Sequence, residues 1–279
     1  MPNSPTNQPI GVFDSGIGGL TVHSAIRELL PKESLLYLGD TARVPYGTRS
    51  PETVQRYVAR VASHLWDQGV KALVIACNTA STYALAPLAE VGKELGIPVL
   101  GVIQPGVKEA LAATTNGRIA ILGTEGTVRG GRYQILLEQG GAQVEALACP
   151  LFVALAEEGW IDGPIATAVA ERYLSQLQIN PDTVILGCTH YPLLAPVLQQ
   201  LLPNVQLIDS AQATARSLHS ALESHQLLSE MPRGAERFLV TDNMERFCRS
   251  GTAFLGRRPN PVEWVDLSEP SAPFFETSS

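Results

Sequence analysis

The chain has 279 residues, of which 45% are hydrophobic and 17% charged, and a formal net charge of −7. That composition excludes a disordered chain and is enough for the cores of two α/β domains. Acidic balance without a cluster of Lys and Arg excludes a general nucleic-acid binder, so an anionic ligand must be met by local donors.

The N-terminal MPNSPTNQP has neither the basic nor the apolar stretch of a signal peptide. No run approaches the roughly 18 apolar residues of a membrane span. A cytoplasmic chain with no membrane partner is expected. Four cysteines, at 77, 149, 188 and 248, lack CxxC spacing and are read as thiols. Strands are expected at 9–13, 35–39, 72–76, 97–101, 118–122, 143–148, 183–187, 205–208 and 237–240. Helices are expected at 19–30, 51–68, 80–95, 105–115, 127–139, 163–177, 192–202, 210–228 and 243–254. This β-then-α order implies an α/β fold of parallel sheets covered by helices, divided near 101–104 and near 208. Residues 1–8 and about 268–279 are expected to be mobile.

The chemistry-bearing residues gather where strands end, the place where open parallel sheets bind ligands. After the first strand, Asp14-Ser15-Gly16-Ile17-Gly18-Gly19 makes a Gly-rich turn into a helix. Such a turn suits a carboxylate or phosphate and equally suits a tight strand–helix connection. It fits neither a Walker A loop nor GxGxxG. Asp40 ends the second strand, and Pro45-Tyr46-Gly47 follows in a turn.

The third strand runs into Cys77-Asn78-Thr79, and LVIACNTA (73–80) rhymes with VILGCTHY (184–191). The two cysteines, Cys77 and Cys188, are 111 positions apart. A lone Cys is usually a small buried hydrophobe, the reading given to Cys149 and Cys248. For the other pair, a strand end followed by a helix start favours a thiol of lowered pKa. Thiols facing each other across a cleft are what is needed to take a proton from one face of a carbon and return it to the other. His190 lies two residues after Cys188, on the same side if the chain is still extended there. Zinc requires three or four ligands, and the spacing supplies no such set, so no metal is expected. Thr124 and Thr127, with Ser15, Asn78, Thr79 and Thr189, are neutral donors for a small polar anion. Glu157-Glu158 before Gly159 reads as an exposed helix end. None of the four lysines (32, 71, 93, 108) lies in a strand-end loop, which argues against a pyridoxal-phosphate Schiff base, and no cofactor is expected.

FDSGIGGL (13–20), GDTARVPYG (39–47), ACNTAS (76–81), GTEGT (123–127), CPLFVALAEEG (149–159) and GCTHYPLL (187–194), in this order, resemble the glutamate racemases. The match runs from about 10 to about 209 and continues weakly through RFLVTD (237–242) and FLG (254–256). Arg129 and Arg132 depart from the smaller residues expected after GTEGT. The resemblance implies two similar α/β domains, 1–101 with 209–279 on the Cys77 side and 102–208 on the Cys188 side, with the active site between them. It implies cofactor-independent interconversion of L- and D-glutamate for peptidoglycan, and an enzyme that commonly forms homodimers. By position, Cys77 and Cys188 are the acid/bases; Asp14 assists Cys77, and His190 with Glu157 assists Cys188, Glu158 being the alternative. Asp14, Ser15, Pro45, Tyr46, Gly47, Asn78, Thr79, Thr124, Thr127, Thr189 and His190 are the expected substrate contacts, with Asp40 a less direct support. Three rivals stand beside this reading: an aspartate or other two-cysteine racemase, a non-catalytic amino-acid binder, and a thiol redox protein.

Overall fold

A computed structural model describes residues 4–267; of the ends expected to be mobile, 1–8 and about 268–279, residues 1–3 and 268–279 lie outside it, while Pro5–Asn7 form a 3-10 turn. In chain order the elements are β1 (Ile10–Asp14), α1 (Leu20–Leu29), β2 (Leu35–Gly39), α2 (Pro51–Asp67), β3 (Ala72–Ile75), α3 (Asn78–Leu95) and β4 (Val99–Gly101). There follow α4 (Ile103–Ala113), β5 (Arg118–Gly123), α5 (Glu125–Gly130), α6 (Arg132–Gln139), β6 (Gln143–Ala148), α7 (Leu151–Glu158), α8 (Gly163–Leu174), β7 (Thr183–Gly187), α9 (Ala195–Leu201) and β8 (Gln206–Ile208). The chain ends with α10 (Ser210–Ser224), β9 (Glu236–Val240), α11 (Met244–Leu255) and β10 (Val262–Trp264).

Two sheets form, in the orders β10-β9-β2-β1-β3-β4 and β6-β5-β7-β8, with every pairing parallel. β1, β2, β3 and β7 are buried from end to end, and β5 beyond Arg118, as a sheet covered on both faces requires. Alternation along each strand feeds two cores. Ile10, Val12, Leu35, Tyr37 and Val74 face one helix layer, while Phe13, Leu36, Leu38, Leu73 and Ile75 face the other. In the second sheet Leu122, Val184 and Leu186 face one core, and Ile119, Ile121 and Ile185 the other.

The chain crosses between halves twice. Val102 packs in a core of the first sheet and Ile103 in one of the second. After Ile208, Ala211, Ala215, Leu218 and Leu222 of α10 return to the first. The tail then adds β9 beside β2, with Leu35 opposite Glu236.

Several expected elements differ. The helix read over 127–139 is broken at Gly131, whose φ of 66° is the left-handed turn that glycine tolerates. The helix read over 192–202 begins as a 3-10 turn, Tyr191–Leu194. Two elements were not expected as such: β10, three residues preceded by Pro259 and Pro261, and α7, of which only the Glu157-Glu158 end was read, its apolar run being too short to separate helix from strand by periodicity. Lys71, expected merely to precede a strand, is buried; its Nζ lies 2.5 Å from Glu33 Oε2 and donates to the Leu227 carbonyl.

Candidate active site

The carboxyl ends of both sheets open on one cavity of 310 Å³, at the small end of the roughly 300–1,000 Å³ usual for ligand sites. Ser15 enters it after β1, Pro45, Tyr46 and Gly47 from the β2–α2 connection, and Cys77, Asn78 and Thr79 from the start of α3. The second half supplies Thr124, Glu157, Cys188, Thr189 and His190.

Cys77 is the N-cap of α3: its Sγ accepts the Ala80 N–H at 3.5 Å and lies 3.6 Å from Ser15 Oγ. The expected lowering of its pKa does not result. Burial pushes the thiol up to about 12, the charge of Asp14 adds to this, and the Ala80 N–H and Ser15 oppose it without prevailing. Desolvating a thiolate costs more here than a single capping N–H returns.

Asp14 is fully buried and stands behind the cavity wall. One oxygen accepts the Gly16 N–H at 2.9 Å, and the other accepts from Thr189 Oγ1 at 3.4 Å. Burial raises its pKa against His190, the Gly16 and Gly19 amides and Thr189. Two amides of the Gly-rich turn, those of Gly16 and Gly19, therefore serve the chain's own carboxylate. Thr127, also an expected contact, is buried behind the wall, where it bonds Thr79 and Thr124.

On the opposite side the backbone has already turned at His190 (φ −81°, ψ −30°), so a turn and not an extended segment brings it to Cys188. His190 Nδ1 lies 3.8 Å from Cys188 Sγ, and Nε2 lies 3.2 Å from Glu157 Oε1. Burial alone would lower the imidazole's pKa; the bonds to Cys188 and Glu157, with the negative charges of Cys188 and Asp14, outweigh it and raise it to about 10. For Glu157, burial works to raise the pKa, but the bond to His190 and the cations His190 and Arg246 bring it below the ordinary value. Glu157, not Glu158, makes the contact with the imidazole.

Neutral donors surround the space between the thiols. Thr79 and Thr124 join hydroxyls across the two halves at 2.8 Å. Tyr133 donates to Asn78 Oδ1 at 2.7 Å, which turns the amide nitrogen into the end available to a ligand. Tyr46 reaches the cavity, but its hydroxyl is donated to Asp40, which also accepts from Thr241 at 2.9 Å. Asp40 thus fixes the Tyr46 loop from behind. Arg129 lies outside the cavity lining and donates to the Arg49 carbonyl. Unread contributors to the wall include Val44, Pro150, Val153 and Ala154. The last three belong to CPLFVALAEEG, a stretch whose helix was not resolved from its pattern.

All four cysteines are free and buried. Cys149 packs in the second core, where burial and the nearby Cys188 push its thiol up to about 12. Cys248 donates to the Pro259 carbonyl at 3.8 Å. Among the described residues no helix is long and apolar enough to cross a membrane.

Residues 19–218 match the Asp/Glu/Hydantoin racemase family. The glutamate racemase of Geobacter metallireducens is 48% identical over 263 residues, 92% of this chain and 96% of that protein. The glutamate racemase of Francisella tularensis, solved in complex with D-glutamate, superposes with a TM-score of 0.89 at 38% identity, covering 94% of this chain and 99% of that one. An aspartate racemase from Picrophilus torridus shares the fold only, at a TM-score of 0.54 and 16% identity over 79% of this chain and 98% of that one. With a family match across most of its length and relatives of this identity over nearly all of it, the chain belongs to the Asp/Glu/hydantoin racemase family, among the glutamate racemases.

Proposed function

We propose that this chain interconverts L- and D-glutamate without a cofactor, by proton transfer between Cys77, the substrate α-carbon and Cys188. One observation carries the reading: two thiols on one small cavity, each with its own separate set of polar partners. In one direction a thiolate takes the α-proton, leaving a carbanion whose charge spreads into the carboxylate. The opposite thiol gives its proton to the other face and becomes the thiolate. The return reaction exchanges the roles, so one thiol must be ionised and the other protonated at the start. Hydroxyls and amide groups of Ser15, Asn78, Thr79, Thr124 and Thr189, which line the cavity, would hold the carboxylates, where charge accumulates during abstraction. The imidazolium of His190, held by Glu157, favours negative charge on Cys188.

Identity to glutamate racemases over nearly the whole chain favours glutamate over aspartate. A non-catalytic binder has no need of paired thiols with separate partners. The family's role gives the product to peptidoglycan synthesis, and with it a cytoplasmic location and a homodimer, to be tested by fractionation and light scattering. The activity is tested by incubating L-glutamate with the protein in deuterium oxide without added cofactor. Loss of optical rotation with deuterium at the α-carbon is the expected result. Turnover of L-aspartate in its place would transfer the specificity, and silence with both would overturn the reading.

A further inference from the structure

The tail of the chain, beyond the 19–218 stretch that carries the family match, contributes to the Cys188 side of the cavity. Helix α11 packs in the first half through Phe247, Phe254 and Leu255. Its start is fixed: Asn243, at φ 42°, accepts the Arg246 N–H on its side chain at 3.0 Å. Thr41, just past β2, donates to the Asp242 carbonyl at 2.7 Å and accepts the Asp242 N–H at 2.8 Å. From this anchored helix two side chains cross to the second half. Arg246 Nη2 donates to Glu157 Oε2 at 3.4 Å. Phe254, eight residues on, sets its ring edge-on to His190 with centroids 5.2 Å apart. The acid–base pair His190–Glu157 is therefore touched at both members by one helix of the opposite half.

We propose that α11 holds the acid–base assembly of Cys188 in place from across the cleft, with Arg246 as the positioning residue for Glu157. The inference rests on the reading of Cys188 as an acid/base. A carboxylate has two oxygens and rotates about one bond. Oε1 serves His190, and Arg246 on Oε2 fixes the plane in which Oε1 can do so. The Arg246 side chain is 56% exposed, and an ion pair so exposed contributes little to stability. Its effect lies in orientation and in the charge state of the groups behind it.

Other titratable groups also face this assembly. Asp14 and Cys77 approach from the first sheet, Cys149 and Glu125 from the second half, and Glu158 and Arg249 flank the bridge. The buried phenols of Tyr133 and Tyr191 lie within electrostatic reach of Cys188. Of these, Arg249 is the other cation, so R246Q removes one of two positive charges at the outer end of the chain of contacts. Loss of a cation makes ionisation of a nearby thiol harder.

The test is the pH dependence of iodoacetamide alkylation of the full chain, with Cys77 and Cys188 peptides quantified separately by mass spectrometry at low ionic strength. In R246Q the pH of half-maximal Cys188 alkylation rises, by no more than the roughly 0.3–0.6 unit that a partly exposed ion pair gives its direct partner, here Glu157. R246K restores it, Cys77 does not move, and kcat for glutamate falls more than KM changes. A Cys188 profile in R246Q that overlays the parent's overturns the proposal. The alkylation readout is independent of racemisation, so a parent protein that reacts with iodoacetamide yet leaves glutamate unchanged overturns the proposed function and not this inference.

Discussion

Gly18 and His190 meet across the cleft: a β-carbon on Gly18 would stand 2.5 Å from His190 Nδ1 and 2.3 Å from Thr189 Oγ1. Gly18 opens α1 in one half, and His190 carries the acid–base chain of the other. The same economy recurs along the seam. A β-carbon on Gly126 would lie 2.9 Å from Thr79 Cγ2, and one on Gly130 2.2 Å from Thr82 Cγ2. Missing side chains on one wall let the opposite wall approach closely enough to share a cavity.

G18A therefore pushes Thr189 and His190 away from the first half without touching a thiol. We expect kcat/KM to fall by about 10–100-fold, the scale of a displacement of about an ångström in a positioned reaction. Circular dichroism should show the parent's fold. Parent-like kinetics in G18A would mean that the halves do not close to this distance during turnover.

Each thiol acts in both directions of the reaction, so neither is dispensable. C77S and C188S should each lower kcat by on the order of 10²–10⁴-fold, the usual contribution of a positioned acid or base. A serine hydroxyl keeps most of the shape, and the melting temperature should change little. If either variant turned over near the parental rate, proton transfer between two thiols would be wrong.

The Glu157–Glu158 pair provides a comparison between neighbours. Glu157 lies 3.2 Å from His190 Nε2, whereas Glu158 borders a surface hollow beside Arg249. E157Q should lower kcat by roughly 10–100-fold, as loss of a partner that orients a working group does, and E158Q should stay within about twofold. The steady-state kinetics of the two variants side by side decide the matter, and equal losses would detach His190 from its carboxylate.

Sequence patterns made the alternating scaffold and both thiols legible because these depend on local rules. Apolar runs at β1, β3 and β7 have to be buried, and a hydroxyl- or amide-rich strand end in a parallel sheet lies at a ligand site. Three things were not legible, each of them non-local. Asp14 was expected at the substrate, and its complete burial, with one oxygen on the Gly16 amide and the other on the Thr189 hydroxyl of the opposite half, was not readable from its turn. The Cys77 thiol was expected to be acidic, yet its burial depends on packing by both halves and exceeds the capping effect. Helix α11 could be read as a helix, but nothing in 243–254 indicates that Arg246 and Phe254 arrive at Glu157 and His190.

The pH dependence of turnover follows from these environments. Activity requires one ionised and one protonated thiol, so kcat/KM falls at low pH when both are protonated and at high pH when both are ionised. Burial first, and the Asp14 charge second, push Cys77 up to about 12, which keeps it protonated well into the alkaline range. His190, raised to about 10 by its partners against burial, carries positive charge through neutrality and loses it before Cys77 ionises. The profile should be bell-shaped with its maximum on the alkaline side of neutrality. In D14N the negative charge beside Cys77 is gone while its burial remains, so ionisation becomes easier and the high-pH limb moves to lower pH, still above that of an exposed thiol. With Cys77 at about 12 the parent only enters this limb by about pH 11, D14N should deepen the fall between about pH 10 and 11, and a profile there that D14N leaves unchanged would assign the limb to a group other than Cys77. Parental activity that does not fall even at about pH 12 would remove the requirement for a protonated Cys77 opposite an ionised thiol.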